Sequence, residues 1–191
     1  ANTPGLKVVV PSNPYDAKGL LKSAIIDPDP VIFMESEVMY GDKGEVPEEE
    51  YYLPIGKANV VKEGTAVTVV SFGKMIPRVV LPAIEELEKE GVSVELIDLR
   101  SVRPIDFPTI IESVKKTNRL VIVEEAWPLA SISSEVTFHV QKNAFDYLDA
   151  PIVRVTSADL PLGYAPTLVE ASLPSIAKVV KAVKEVSYLK K

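Results

Sequence analysis

Two adjacent carboxylates, Glu124 and Glu125, follow the apolar run LVIV at Leu120–Val123 and precede Ala126-Trp127-Pro128. A carboxyl pair at the end of a strand has the residue types for acid–base work, one group giving a proton and one accepting it. Neighbouring residues of an extended chain point to opposite sides, however, so the two do not share a site, and one of them is expected to anchor the loop. Arg100 and Arg103, in DLRSVRPID (Asp98–Asp106), stand at another strand end. A guanidinium there grips a carboxylate through a two-pronged fork, and a structural ion pair or a subunit contact is its commoner use. SFGKMI (Ser71–Ile76) sets one Gly and one Lys where open α/β sheets bind ligands, yet it reads first as a simple connector. The only histidine, His139, lies one turn after Glu135, close to the apolar face of Ile132, Val136 and Val140. A base needs an orienting partner and a nucleophile within reach, and the sequence supplies neither, so His139 reads as structural.

Other chemistries are excluded outright. There is no Cys, which removes disulfides, thiolate nucleophiles and thiolate metal sites, and one His cannot build a multi-His zinc site. The nine Gly are scattered singly and form neither G-x-G-x-x-G nor G-x-x-x-x-G-K-[ST], so the common phosphate-cradling loops are missing. The residues by themselves therefore define no catalytic set and no cofactor-binding residue.

The elements that would position these groups are legible from periodicity. Of 191 residues, 47% are hydrophobic and 25% charged, the balance of an ordinary globular chain. The 21 Lys and Arg against 27 Asp and Glu leave a net charge of −6, which disfavours nucleic acid or an anionic membrane as partner. No apolar run approaches the roughly 20 residues that span a bilayer, and the N-terminus lacks signal-peptide regions. The expected location is the cytoplasm or an organelle matrix. The first residue is Ala rather than Met, which fits a trimmed or internal start.

Residues 1–40 read strand (Leu6–Val10), helix (from Pro14) and strand (Val31–Met34), with DPDP at Asp27–Pro30 stopping the helix. GDKGEVPEEEYY (Gly41–Tyr52) reads as an exposed acidic connector, and 41–55 as a linker. From residue 56 to 191 strands alternate with helices. Strands are expected at Ala66–Ser71, Val92–Leu96 (extending to Asp98), Leu120–Val123 and Ile152–Val155. Helices are expected at Pro77–Glu90, Phe107–Lys116, Ser131–Asn143 and Pro174–Val186. This alternation predicts an α/β fold, a mostly parallel sheet covered by helices on both faces, preceded by a strand-helix-strand remnant of a second α/β domain. Pro82 cannot sit inside a helix, so its helix is expected to start near Val79 or to kink.

Several stretches together, PGLKVVVPSNPYDAKGLLKSAI, ESEVMYG, LPIGKA, DLRSVRPID, VEEAWP and YLDAPIVRVTSADLPLGYA, resemble the beta subunit of the decarboxylating component of pyruvate dehydrogenase. That family belongs to the thiamine-diphosphate enzymes related to transketolase, and the resemblance runs in order from about Pro4 to Val186. It implies a transketolase-type C-terminal domain (56–191) after the closing part of a pyrimidine-binding domain (1–40). MYG, IGKA and RPID are more similar to the pyruvate enzyme than to its branched-chain relative, which stays the alternative, as does a stand-alone flavodoxin-like binding module. The resemblance implies that the cofactor-activating Glu and an active-site His segment lie upstream of Ala1, and that the diphosphate signature lies in the alpha subunit. Thiamine diphosphate and magnesium would then belong to the full complex and not to this chain, which would be inactive alone. The implied partners are the alpha subunit, a second beta subunit and the peripheral-subunit-binding domain of the dihydrolipoyl acyltransferase. The resemblance also implies a potassium site of main-chain carbonyls at Ala24, Ile25, Asp27 and Asp29, the last standing where relatives often have Asn. Asp149 matches the acidic contact for the basic acyltransferase module, next to a chain terminus that here reads SYLKK. The strand LKVVV is expected to expose apolar surface, as the stump of a severed sheet.

Overall fold

The computed structural model describes residues 1–189. The chain begins with β1 (Lys7–Val9), α1 (Pro14–Ile26) and β2 (Val31–Phe33), then passes through a short 3-10 turn at Glu37–Met39 to β3 (Asn59–Lys62) and β4 (Val67–Ser71). A π-helical turn at Ile76–Val80 runs into α2 (Leu81–Lys89), followed by β5 (Val94–Asp98), β6 (Ser101–Arg103) and α3 (Phe107–Thr117). The remainder is β7 (Leu120–Val123), α4 (Ile132–Ala144), β8 (Val153–Val155), α5 (Pro166–Ser172) and α6 (Ile176–Val186).

The larger sheet has the order β3-β5-β4-β7-β8, with β5, β4, β7 and β8 parallel and β3 antiparallel at one edge. Side chains of a strand alternate between faces, and the core divides accordingly. Val67, Val69, Val94, Leu96, Val121 and Val123 pack with α2 and α6. Val70, Ile97, Leu120 and Ile122 pack with α3 and α4. Burial on both faces is why these strands read as continuous apolar runs; each fully buried Val, Leu or Ile contributes about 1.5–3 kcal/mol. Asp106 and Ser131 cap α3 and α4 by accepting the N–H groups of Thr109 and Ser134.

The helix does not start late at Val79: the helical path runs unbroken from the π turn into α2, with Leu81 N–H donating to the Ile76 carbonyl, and this widened turn immediately ahead of Pro82 is the irregularity that accommodates its missing N–H. Three elements were not anticipated. β3 is a half-exposed edge strand of mixed polarity, NVVK. α5 is a short seven-residue helix behind Pro166. β6 is only three residues long, and it changes the reading of the N-terminal segment.

β1 is not an orphan. It is the middle strand of a three-stranded sheet, β2-β1-β6, parallel to β2 and antiparallel to β6 through Val8↔Arg103 and Val9↔Ser101. Val8 and Val9 are buried, and Val8 shares a core with Ile97, Ile110 and Leu120. The expected open apolar strand is thus covered, because the chain leaves the large sheet after β5 and pairs with β1. The exposed apolar side chains of this region are instead Leu21, Ile25 and Ile26 on α1, with Ile32 and Met34 at β2.

Residues 41–50 are mostly exposed, as an acidic connector should be, yet the segment is fastened along α1. Lys18 Nζ donates to the carbonyls of Pro47, Glu48 and Glu49, and Lys22 pairs with Glu50 at 2.9 Å. Tyr51 stacks on Tyr15 with ring centres 4.6 Å apart. Leu53 N–H donates to the Gly19 carbonyl at 3.2 Å, and Ser23 Oγ donates to the Leu53 carbonyl at 2.6 Å. Gly19 is required by this approach, since a Cβ there would lie 2.6 Å from Leu53 Cγ and 2.7 Å from Tyr51 Cε2. Gly19→Val is therefore expected to destabilise the chain by about 1–3 kcal/mol and to speed tryptic cleavage at Lys43. Urea titration and a proteolysis time course check this; unchanged cleavage would mean that the strap does not depend on the contact.

Candidate functional site

The connections from β4 and β7 leave in opposite directions. The chain passes from β4 through α2 to β5, and from β7 through α4 to β8 on the other side of the sheet. Open α/β sheets place their ligand crevice at such a point, beyond the carboxyl ends of the strands. A crevice of about 1360 Å³ lies there, reaching from Phe72–Met75 and Glu124–Ala126 across to Val10 and Met34 of the smaller sheet.

The structure brings the sequence-derived candidates Lys74, Glu124, Glu125 and Arg103 to this crevice, but each is already engaged. Glu124 is fully buried, and its Oε1 accepts the N–H of Ser133 in the first turn of α4 at 2.9 Å. The carboxylate occupies the positive end of that helix, where an anionic ligand would otherwise sit. Glu125 lines the same crevice, contrary to the expectation that the two carboxylates part, because the strand ends at Val123 ahead of both; it pairs with Lys74 at 2.6 Å. Arg103 Nη1 donates to the Ala1 carbonyl at 2.6 Å. The loop between β7 and α4 is held from outside as well: Arg154 Nη1 donates to the Pro128 carbonyl and to Ser134 Oγ, and Trp127 Nε1 donates to the Leu160 carbonyl. With the helix end taken by one carboxylate and Glu35, Glu125 and Glu135 around the rim, these residues do not fit a diphosphate. Of the two carboxylates it is Glu124 that anchors the loop.

His139 stacks flat on Phe107, ring centres 3.7 Å apart, and its Nε2 lies 3.2 Å from Glu135 Oε1. Through this stack it joins α4 to α3.

At the end of α1, Asp27 and Asp29 converge on Lys7, whose Nζ lies 2.7 Å from Asp27 Oδ1 and 3.0 Å from Asp29 Oδ2. Lys7 and Asp27 shift each other, the hydrogen bond between them raising the ammonium and lowering the carboxyl from their ordinary values. Among the described residues no backbone N–H outside the regular elements is bonded to the carbonyls of Ala24, Ile25, Asp27 or Asp29. Unpaired carbonyls at a helix C-terminus are oxygen donors suited to a hard cation, so these residues fit potassium through the main chain while the carboxylates serve Lys7.

Asp149 is on the surface, its Oδ2 3.6 Å from Arg119 Nη2. Tyr188 donates its hydroxyl to the Asp149 main-chain carbonyl at 3.0 Å, which ties Tyr188 to this residue. Lys190 and Lys191 of the SYLKK ending lie outside the described residues.

A buried polar cluster that periodicity did not single out joins α1 to the large sheet. Asp98, fully buried at the carboxyl end of β5, accepts Ser12 Oγ–H and the Arg100 N–H, the latter at 3.0 Å. Arg100 adopts φ 56° and pairs through Nη2 with the fully buried Asp16 at 2.6 Å. Asn13 caps α1 by accepting Asp16 N–H and also donates to Asp16 Oδ2, each at 2.8 Å. Arg100 was a candidate for a structural ion pair, and it makes one; Asp16 and Ser12 carried no signal in the sequence.

With the architecture and these contacts described, the chain belongs to the transketolase family. Residues 56–179 match the transketolase C-terminal domain, and residues 1–43 match the transketolase pyrimidine-binding domain. Among curated proteins it is similar to the pyruvate dehydrogenase E1 component subunit beta of Rhizobium meliloti (strain 1021). The two are 52% identical over 189 residues, which cover 98% of this chain and 41% of the relative. It is similar likewise to the mitochondrial subunit beta-1 of Arabidopsis thaliana, 47% identical over 195 residues, 100% of this chain and 53% of the relative. Among solved structures, a split-gene transketolase described as an inactive β4 tetramer shares the fold with a TM-score of 0.78 at 27% identity, covering 100% of this chain and 60% of that one. The chain spans about half the length of the curated relatives it matches.

Proposed function

We propose that this chain serves as the C-terminal part of a pyruvate dehydrogenase E1 beta subunit. In the complete assembly, with an alpha subunit and a second beta subunit, it supports thiamine-diphosphate-dependent oxidative decarboxylation of pyruvate and acetyl transfer to a lipoyl carrier. The observation that carries this reading is the 52% identity to such a subunit over nearly the whole chain. A division of labour is supported by the crevice contacts, in which Glu125 pairs with Lys74 and Glu124 Oε1 accepts from the start of α4. The chain's own part is then assembly and docking, and thiamine diphosphate with its magnesium is held by other parts of the complex. Several plant relatives are named as mitochondrial, and we place this chain in a mitochondrial matrix or a bacterial cytoplasm. Pyruvate-dependent ferricyanide reduction tests the proposal: none is expected from the chain alone, and turnover is expected once it is joined to a pyrimidine-binding region and assembled with an alpha subunit. Turnover by the chain alone, or an assembly preferring branched-chain 2-oxo acids, would overturn it.

Two sites belong to the same proposal. Asp149 contributes an acidic contact for the basic peripheral-subunit-binding domain of the acyltransferase, supported by its exposure and its place beside Tyr188. A charge at such an interface steers and orients the partner. Asp149→Ala in the assembled subunit is expected to weaken binding about tenfold by calorimetry, and unchanged affinity would reject the assignment. The carbonyls of Ala24, Ile25, Asp27 and Asp29 form a potassium site. Potassium chloride is expected to raise the thermal midpoint by a few degrees over choline chloride of equal ionic strength, while equal midpoints would exclude the site.

A further inference from the structure

The seam between α1 and the large sheet holds more buried negative charge than positive. Asp16 and Asp98 are both fully buried, and the one cation set against them among the described residues is Arg100, whose side chain is 13% exposed. The strands flanking Asp98 in the sheet place Asn59 of β3 and Ser71 of β4 opposite it, both uncharged. The loop ahead of α1 brings Ser12 and Asn13, also uncharged. Among the described residues the charged groups facing Asp98 are therefore Asp16 and Arg100, and when both carboxyls are ionised the cluster carries one uncompensated charge in a dry site. Such a charge is costly, and uptake of one proton removes it. The guanidinium lies directly on Asp16, whereas Asp98 receives only neutral donors, Ser12 O–H and Arg100 N–H. Asp98 is therefore the group that takes the proton.

We propose that the Ser12–Asp98 and Asp16–Arg100 contacts form a proton-operated latch, closed when Asp98 is protonated and loosened when it ionises, which sets how tightly residues 7–16 hold to the carboxyl end of the five-stranded sheet. Burial, with the Asp16 charge adding to it, pushes the Asp98 carboxyl from 3.8 up to about 6. A carboxyl raised in the closed form binds its proton more tightly there than in the open form, so protonation favours closure. The closed form is thus at full advantage below about pH 4, loses it as the pH rises from there to about 6, and stays weakened above. Between pH 5 and pH 8 the closed-to-open ratio falls about tenfold. The latch concerns the seam and not the reaction, so it stands or falls independently of the proposed function.

The Val10 amide reports on the latch directly, because its N–H donates across the seam to the Arg100 carbonyl at 2.7 Å. Hydrogen exchange followed by NMR on the whole chain, expressed as protection relative to the unstructured peptide, is expected to show Val10 protection about tenfold lower at pH 8 than at pH 5. The amides of Val69 and Val121 in the sheet centre serve as the reference and are expected to stay level. In Asp98→Asn the carbonyl still accepts the Arg100 N–H and the amide can donate to Ser12, so the Val10 profile is expected to be flat. A Val10 profile that is level in the wild type, or that falls equally in D98N, overturns the latch. The wild-type curve decides alone if D98N does not fold, a fall centred between pH 4 and 7 supporting the latch and a flat curve excluding it.

Discussion

The Val10 N–H meets the carbonyl of Arg100 at 2.7 Å, and around that bond β1 and β6 run antiparallel. The remainder of the architecture follows from that seam. A three-residue strand and a two-stranded parallel unit are each too small to persist in water. Joined through β6 they become an extension of a chain segment that the five-stranded sheet already holds rigid. Arg100 makes the junction possible by turning to φ 56°: its amide then points at Asp98 and its guanidinium at Asp16. The left-handed backbone is unfavourable for a side chain other than Gly, and it persists here because both ends of the residue are tied.

Most of the large sheet was legible in the sequence because β4, β5 and β7 are buried along their whole length, whereas the half-exposed edge strand β3 was not. LVIV is β7 to the residue, and Asp106 and Ser131 stand where the caps of α3 and α4 form. That one carboxylate of the pair Glu124 and Glu125 anchors the loop was also legible, but which of them does so was not, since both lie beyond the end of β7. What could not be read depended on partners distant in sequence. SVR carries no periodicity, and its strand character comes entirely from β1, more than ninety residues earlier. Ser12 and Asp98 are 86 residues apart, and nothing in PSNPYD announces that its Asp will be buried. The acidic connector misled in a different way: its composition correctly predicted exposure, but exposure does not imply freedom, and Lys18, Lys22 and Tyr15 on α1 hold its backbone and rings.

The switch-point crevice shows how a fold separates from the use commonly made of it. Position in the topology alone would make it a ligand site. Here Glu124 sits in the helix end that would receive an anion, Lys74 is bound to Glu125, and Arg154 fixes the loop above. The same charges that could recognise a small molecule are committed to holding β7, α4 and β8 in register.

The fastened connector has a consequence for how the seam can open. Because Leu53 and Tyr51 are locked against α1, the helix is moored at two places, once through its first turn and once along its flank. Losing the first mooring leaves α1 confined near its berth at a high effective concentration, so it swings and returns rather than drifting off. Loosening the charged cluster therefore produces brief, rapidly reversed openings, and a full separation requires the strap to let go as well.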